Sequence, residues 1–263
     1  MPFLVLWCAS CAPPLLRLPS GPGDTALDAG AVVADATRAC RAVSTLTAEI
    51  AVSGSVGGRR LRARLLAGVA APSSVRLEAV APFGSPFFVF VATNGEATLL
   101  LPRDNRVLER GNPKDVLEAV AGVPIDAAEL DQMLTGCASG LDLRQATRVG
   151  DDWRVVPDGM SDLYVHREMP GGTWRIVAAL HREPGGPGWR AEYRGFPTGP
   201  AADGVPRTVR LTSGDRKRFD LRLALSQVEL NATLDADVFR VQVPASARPI
   251  ALPELRGAGP LGR

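Results

Sequence analysis

At 263 residues the chain can bury a sizeable core, either as one large β domain or as two small ones. A net charge of +2 with 22% charged residues implies no strong electrostatic partner, and no Lys/Arg cluster interleaved with aromatics marks a nucleic-acid surface. No apolar run approaches the roughly 20 residues that span a bilayer, while 27 glycines and 22 prolines suit short strands and turns.

The amino terminus holds a short apolar run, Phe3-Leu4-Val5-Leu6-Trp7, followed by Cys8-Ala9-Ser10-Cys11. Small residues at Ala9 and Ser10 just before a cysteine resemble a bacterial lipoprotein signal, in which Cys11 is lipidated after cleavage. Cys8 and Cys11 also have the spacing of a redox or metal pair, but no second pair accompanies them. Residues 1–11 are therefore read as signal, and the Pro/Gly/Leu-rich residues 12–23 as a tether. The folded domain is expected over 24–243, followed by a disordered Pro/Gly/Arg tail, 244–263.

Asp24 can cap a helix running to about Arg41, with Leu27, Ala31, Ala34, Cys40 and Val43 on its apolar face. The period then switches from 3.6 to 2. Leu46, Ala48, Ile50 and Val52 alternate with polar or small residues, and Leu61, Ala63 and Leu65 alternate with Arg60, Arg62 and Arg64 across the Gly57-Gly58 turn. Such alternation predicts antiparallel strands with one wet face.

Val75 to Ala79 reads as the next strand, and Pro82, Phe83, Gly84, Ser85 and Pro86 break it into a turn with a large aromatic at its tip. A Phe at a loop tip either folds back onto the core or inserts into something else. Phe87 to Ala92 is apolar on both faces, and Asn94-Gly95 predicts a hairpin into Glu96–Leu101. Two short helices follow, Pro113 to Ala121 behind the Asn112 cap and Asp126 to Leu134 ending at Gly136. Strands resume at Leu141–Val149, Trp153–Val156, Leu163–His166, Thr173–Leu180, Trp189–Tyr193, Arg207–Leu211, Phe219–Leu225, Val228–Leu230 and Phe239–Val243. The economical architecture for these elements is a curved antiparallel sheet with helices on its concave face.

Catalytic signatures are missing. His166 and His181 have no Cys, Asp or Glu at ligand spacing, and Asp151-Asp152 beside Gly150 reads as a turn. No nucleophile elbow, phosphate loop or dinucleotide fingerprint occurs, so neither a cofactor nor an enzyme is expected. The Asn231-Ala232-Thr233 sequon carries little weight in a bacterial lipoprotein.

The order of segments resembles the LolA/LolB family of bacterial lipoprotein carriers, and LolB more than LolA. Val75-Arg76-Leu77-Glu78-Ala79-Val80-Ala81-Pro82-Phe83-Gly84 stands where the family has a strand ending in Pro-Leu-Gly. Ala121-Gly122-Val123-Pro124-Ile125 and Leu130-Asp131-Gln132-Met133-Leu134-Thr135-Gly136 resemble its lid segments, with Met133 in place of a frequent Trp. Trp189-Arg190-Ala191-Glu192-Tyr193-Arg194-Gly195-Phe196 and Pro206-Arg207-Thr208-Val209-Arg210-Leu211 resemble later strands.

The resemblance implies a mainly β, half-open antiparallel barrel with a helical lid. Its apolar cavity would hold lipoprotein acyl chains received from a LolA-like periplasmic carrier. The protein would be a lipid-anchored monomer on the outer membrane facing the periplasm, inserting cargo there with Phe83 at its membrane-insertion loop. Candidate cavity residues are Leu46, Ile50, Leu61, Leu65, Leu77, Leu99, Leu101, Leu117, Leu130, Leu134, Trp174 and Trp189. Export would allow Cys40 and Cys137, each in or beside a helix, to form a disulfide. The alternatives are an envelope lipoprotein binding another apolar ligand or a protein partner and, more distantly, an unrecognised hydrolase.

Overall fold

The computed structural model describes residues 14–138, 141–199 and 203–258. The first half runs β1 (Asp24–Thr25), α1 (Ala29–Thr37), β2 (Thr45–Val56), β3 (Arg59–Ala70), β4 (Ser74–Val80), β5 (Phe88–Thr93), β6 (Glu96–Leu101) and β7 (Arg106–Gly111). Then come α2 (Pro113–Ala121), α3 (Ala127–Thr135), β8 (Thr147–Val149), β9 (Trp153–Asp158), β10 (Ser161–His166), β11 (Arg175–His181) and β12 (Trp189–Arg194). The chain closes with β13 (Thr208–Ser213), β14 (Phe219–Leu230), β15 (Arg248–Pro249) and α4 (Leu252–Ala258).

All fifteen strands form one sheet in the order β1-β8-β9-β10-β11-β12-β13-β14-β2-β3-β4-β5-β6-β7-β15. Every pairing is antiparallel except β7 with β15. The two ends, β1 and β15, do not meet, so the barrel is half-open. Its spine is the β2–β3 hairpin, two twelve-residue strands in unbroken register from Thr45↔Ala70 to Val56↔Arg59. Gly57 and Gly58 turn it at φ 56° and 74°, the left-handed pair that matches strand twist. Leu46, Ala48, Ile50 and Val52 face the concave core, which the helices share through Val32, Val33, Val116, Leu117, Leu130 and Met133.

Several expectations need correction. The leading helix starts at Ala29, not Asp24, because Asp24 and Thr25 pair with β8; Leu27 is 96% exposed instead of facing the core. Asp28 instead holds α1 in place by a two-pronged bond from the buried Arg154, 2.8 and 2.6 Å, and that hydrogen bonding lowers its pKa. Leu141–Val149 is strand only from Thr147, since Asp142 accepts the Arg144 N–H and starts a 3-10 turn. Phe219–Leu225 and Val228–Leu230 are one strand carrying a register shift between Ser226 and Glu229. Phe239–Val243 pairs with no strand, and β7 was not anticipated.

The termini depart furthest. Residues 244–258 are ordered: Arg248 and Pro249 pair with β7, and Leu255 of α4 is 3% exposed in the main core. Phe239, Val241 and Ala247 pack on Val89, Val91, Leu100 and Val107, on the outer face of β5–β7. The doubly apolar β5 thus has a cover on each side. From Pro14 on, the expected tether lies against β12, where the Leu16 N–H donates to both Glu192 oxygens at 3.0 and 3.1 Å. The Cys8/Cys11 signal, Ala12 and residues 259–263 lie outside the described residues.

Candidate functional site

The two central helices are fixed by their ends. The Asn112 side chain accepts the N–H groups of Lys114 and Asp115, Pro113 occupies the first turn, and Gly122 closes α2 at φ 73°. Asp126 and Glu129 form a reciprocal capping box on α3, which Gly136 ends at φ 64°. Each nine-residue helix is too short to persist alone, so packing of its apolar stripe onto the sheet holds it.

Between these helices and the sheet lies a cavity of about 90 Å³. Val52, Leu61, Ala63, Leu65, Leu77 and Phe88 form one wall, Leu211, Leu221 and Leu223 another. Leu117, Ala121, Val123, Ile125, Leu130 and Met133 form the roof. Every lining side chain is apolar, so the chamber offers neither nucleophile nor titratable group. Its volume falls below the roughly 300–1,000 Å³ typical of small-molecule sites. A long apolar chain does not fit within it as it stands.

Of the residues singled out by sequence, Leu61, Leu65, Leu77, Leu117 and Leu130 line this chamber. Leu46, Ile50, Leu99 and Leu134 are buried in the close-packed core instead, and Leu101 packs half-buried against it. Trp174 is also corrected: it is flanked by Arg154 and Arg167, whose guanidinium carbons lie 4.9 and 4.7 Å from its ring, and its backbone N–H donates to the Asp35 carboxylate. Trp189 stacks on His181 at 5.0 Å, away from the cavity. Sequence reasoning missed Val52, Ala63, Phe88, Ala121, Val123, Ile125, Met133, Leu211, Leu221 and Leu223. Alternation identifies the inward face of a strand but not which inward residues lie beneath the gap.

The mouth opens toward the β4–β5 loop. A groove of about 970 Å³ shares Val52, Leu61 and Ala63 with the cavity and runs to Ala81, Pro82 and Phe87. Arg103, from the β6–β7 turn, donates to the Ser85 and Phe83 carbonyls at 3.1 and 3.2 Å and sits 4.1 Å from the Phe87 ring centre. With Gly84 at φ 78°, the Pro82–Pro86 backbone is held while Phe83 points outward, 89% exposed. A core-capping Phe83 does not fit that exposure.

Two clips hold the lid. Cys40 and Cys137 are joined by a disulfide spanning 97 residues, which ties the end of α3 to the turn after α1. On α2, Asp115 pairs with Arg256 of α4 at 2.9 Å, and Glu118 pairs with Arg218 at 3.3 Å. Beside the disulfide, burial on α3 raises the Asp131 carboxyl to about 6.

No family model matches the chain, and no curated protein matches it in sequence. Solved structures do resemble it. A LolA superfamily protein from Nitrosomonas europaea superposes with a TM-score of 0.58 at 12% identity, over 82% of this chain and 99% of that one. A DUF1329 family protein from Desulfovibrio piger gives 0.53 at 11% identity, over 82% and 98%. A proposed outer membrane lipoprotein-sorting domain from Vibrio parahaemolyticus gives 0.51 at 10% identity, over 80% and 97%. At these identities the likeness is one of fold: an open, LolA-like half-barrel.

Proposed function

We propose that this protein is an envelope carrier that takes the acyl chains of other lipoproteins into its cavity and delivers them to the outer membrane. The observation that carries the reading is the wholly apolar chamber under a clipped lid, whose mouth leads to the exposed Phe83. In this reading Cys11 bears the lipid anchor, residues 24–243 together with the ordered segment to 258 make up the carrier domain, and cargo arrives from a LolA-like periplasmic partner. The carrier works as a monomer. Binding and transfer need only apolar surface and a moving lid, so no catalytic group is called for.

Phe83 supplies the membrane step. Burying a Phe is worth about 1.5–3 kcal/mol, enough for a transient contact but too little to replace an anchor. Phe83→Glu should leave melting temperature nearly unchanged and preserve acyl-chain binding while abolishing transfer of a lipoprotein to vesicles. A large melting drop, or undiminished transfer, overturns the assignment. Mass spectrometry of membrane-extracted protein tests the anchor by the acyl mass on Cys11. A second reading, a lipoprotein that retains one apolar ligand, is favoured by the two clips on the lid; slow or absent release of bound fatty acid to vesicles would select it.

A further inference from the structure

Arg60, Arg62 and Arg64 alternate on the outer face of β3, away from the cavity, and all three are exposed. The register across the sheet sets Arg62 opposite Ser53, Ser53 opposite Arg222, Arg222 opposite Arg210, and Arg210 opposite Glu192. The acids of this face are already engaged: Asp220 by Arg210 at 3.0 Å, Glu49 by Arg64 at 3.1 Å, Glu192 by Arg190 at 2.6 Å and Arg194 at 3.0 Å. Glu229 lies at the far end of β14. Arg60, Arg62 and Arg222 are left exposed, with no hydrogen bond or ion pair among the described residues. The neighbouring β13–β14 turn carries the exposed Asp215, Arg216 and Lys217 and so adds one net positive charge.

A second, independent observation points at the same face. Glu192 is 1% exposed because the amino-terminal segment crosses over it. Besides the Leu16 bonds to Glu192, Arg190 donates to the Leu16 carbonyl, and Arg194 to the Pro14 carbonyl at 2.8 Å. The chain is therefore bound down on the outer face of β12, three residues after Cys11. Three extended residues reach at most about 11 Å. An anchor at Cys11 thus holds this face beside the membrane. From Glu192 to Arg62 is four strand spacings, about 19 Å along the sheet. The Phe83 loop leaves β4 just past Val80, which pairs with Arg64, at the same rim.

We propose that the outer face of β14, β2 and β3, with Arg60, Arg62 and Arg222 at its centre, docks on anionic phospholipid headgroups of the anchoring membrane. This inference rests on the anchored-carrier reading above. Guanidinium forks suit phosphate oxygens, and each basic residue near an anionic surface multiplies binding about fivefold. Docked this way, the rim that carries Phe83 lies at the bilayer surface.

The test uses full-chain Cys11→Ala protein, so that no anchor masks surface affinity. It is co-sedimented with vesicles of phosphatidylcholine alone or with added phosphatidylglycerol, at low and high salt. Binding should require phosphatidylglycerol, weaken with salt, and fall about 25-fold in Arg60→Gln/Arg222→Gln, with unchanged uptake of a fluorescent fatty acid; Arg62 is left in place because it also borders the groove at the cavity mouth. Equal binding of the double variant and its parent, equal binding to neutral vesicles, or no vesicle binding despite normal fatty-acid uptake would each overturn the docking face. Salt-sensitive vesicle binding without fatty-acid uptake would keep the face and defeat the carrier reading instead.

Discussion

Beneath α2 and α3 the inner face of β2–β4 borders a cavity of about 90 Å³, whereas the outer face of β5–β7 meets Phe239, Val241 and Ala247 with its four central residues buried. Both are apolar surfaces of one sheet, but their covers differ. The outer cover is an irregular strand of chain pinned by the β7–β15 pairing. The inner cover is a pair of capped helices clipped at two points and standing off the wall. Complete packing makes the first a structural element; incomplete packing leaves a gap beneath the second.

The largest test of that contrast is Val91→Asp, which puts a carboxylate between β5 and the carboxy-terminal segment. It should cost about 3 kcal/mol, because it removes packed apolar contacts and buries a charge that Arg76, opposite on β4 and already donating to the Val238 and Arg240 carbonyls, offsets only in part. Urea denaturation measures this, and a variant as stable as its parent would show that the tail does not cover β5. Next comes Cys40→Ser/Cys137→Ser. Opening a loop of 97 residues should cost about 2–4 kcal/mol. It should also speed exchange of a bound fluorescent fatty acid, since α3 then loses one of its clips. Unchanged exchange would mean that the lid does not move about this end.

The same contrast explains what the sequence reveals. Alternation in Leu46–Val52 and Leu61–Leu65 exposes the half-barrel, and Asn112, Asp126 and Gly136 locate both lid helices, because caps and periods are local signals. The apolar outer face of β5 has no reason in the sequence around it, because its cover is a Pro/Gly-rich tail with no period whose order comes from tertiary pairing alone. Leu252 and Leu255 are two leucines in a seven-residue helix, too short a stretch to show a period. The Glu192–Leu16 contact joins residues 176 apart, and an acid flanked by two arginines on a strand reads as a solvated face. Similarly, the net charge of +2 hides Arg60, Arg62 and Arg222, whose lack of partners emerges only when each acid has been assigned.

A smaller effect on stability, but a sharp one on binding, is expected from Ala63→Leu. The added carbons point into existing space, so stability should shift by less than about 1 kcal/mol, unlike overpacking of a filled core. Fatty-acid affinity should nonetheless fall at least tenfold, as read by fluorescence titration. Normal affinity would place the ligand somewhere other than this chamber.

The smallest predicted effect concerns Asp131, beside the disulfide clip. Burial raises its carboxyl to about 6, and Arg41, which lines the same recess, forms no ion pair with it among the described residues. The folded state therefore holds the proton more tightly than the unfolded chain, where an aspartate titrates near 3.9. This group's stabilisation is complete below about pH 4 and is lost as pH rises through about 6. At pH 7, above that value, the carboxylate is ionised in the folded state despite its burial, and this costs stability. Asp131→Asn should accordingly stabilise at pH 7 by about 1 kcal/mol, after allowing for solvent screening of a partly exposed group. The difference between variant and parent should shrink to nothing by about pH 4. Melting curves of the two proteins across that range give the comparison directly, and a difference independent of pH would show that Asp131 is solvated and that the lid is looser at its disulfide end than the packing indicates.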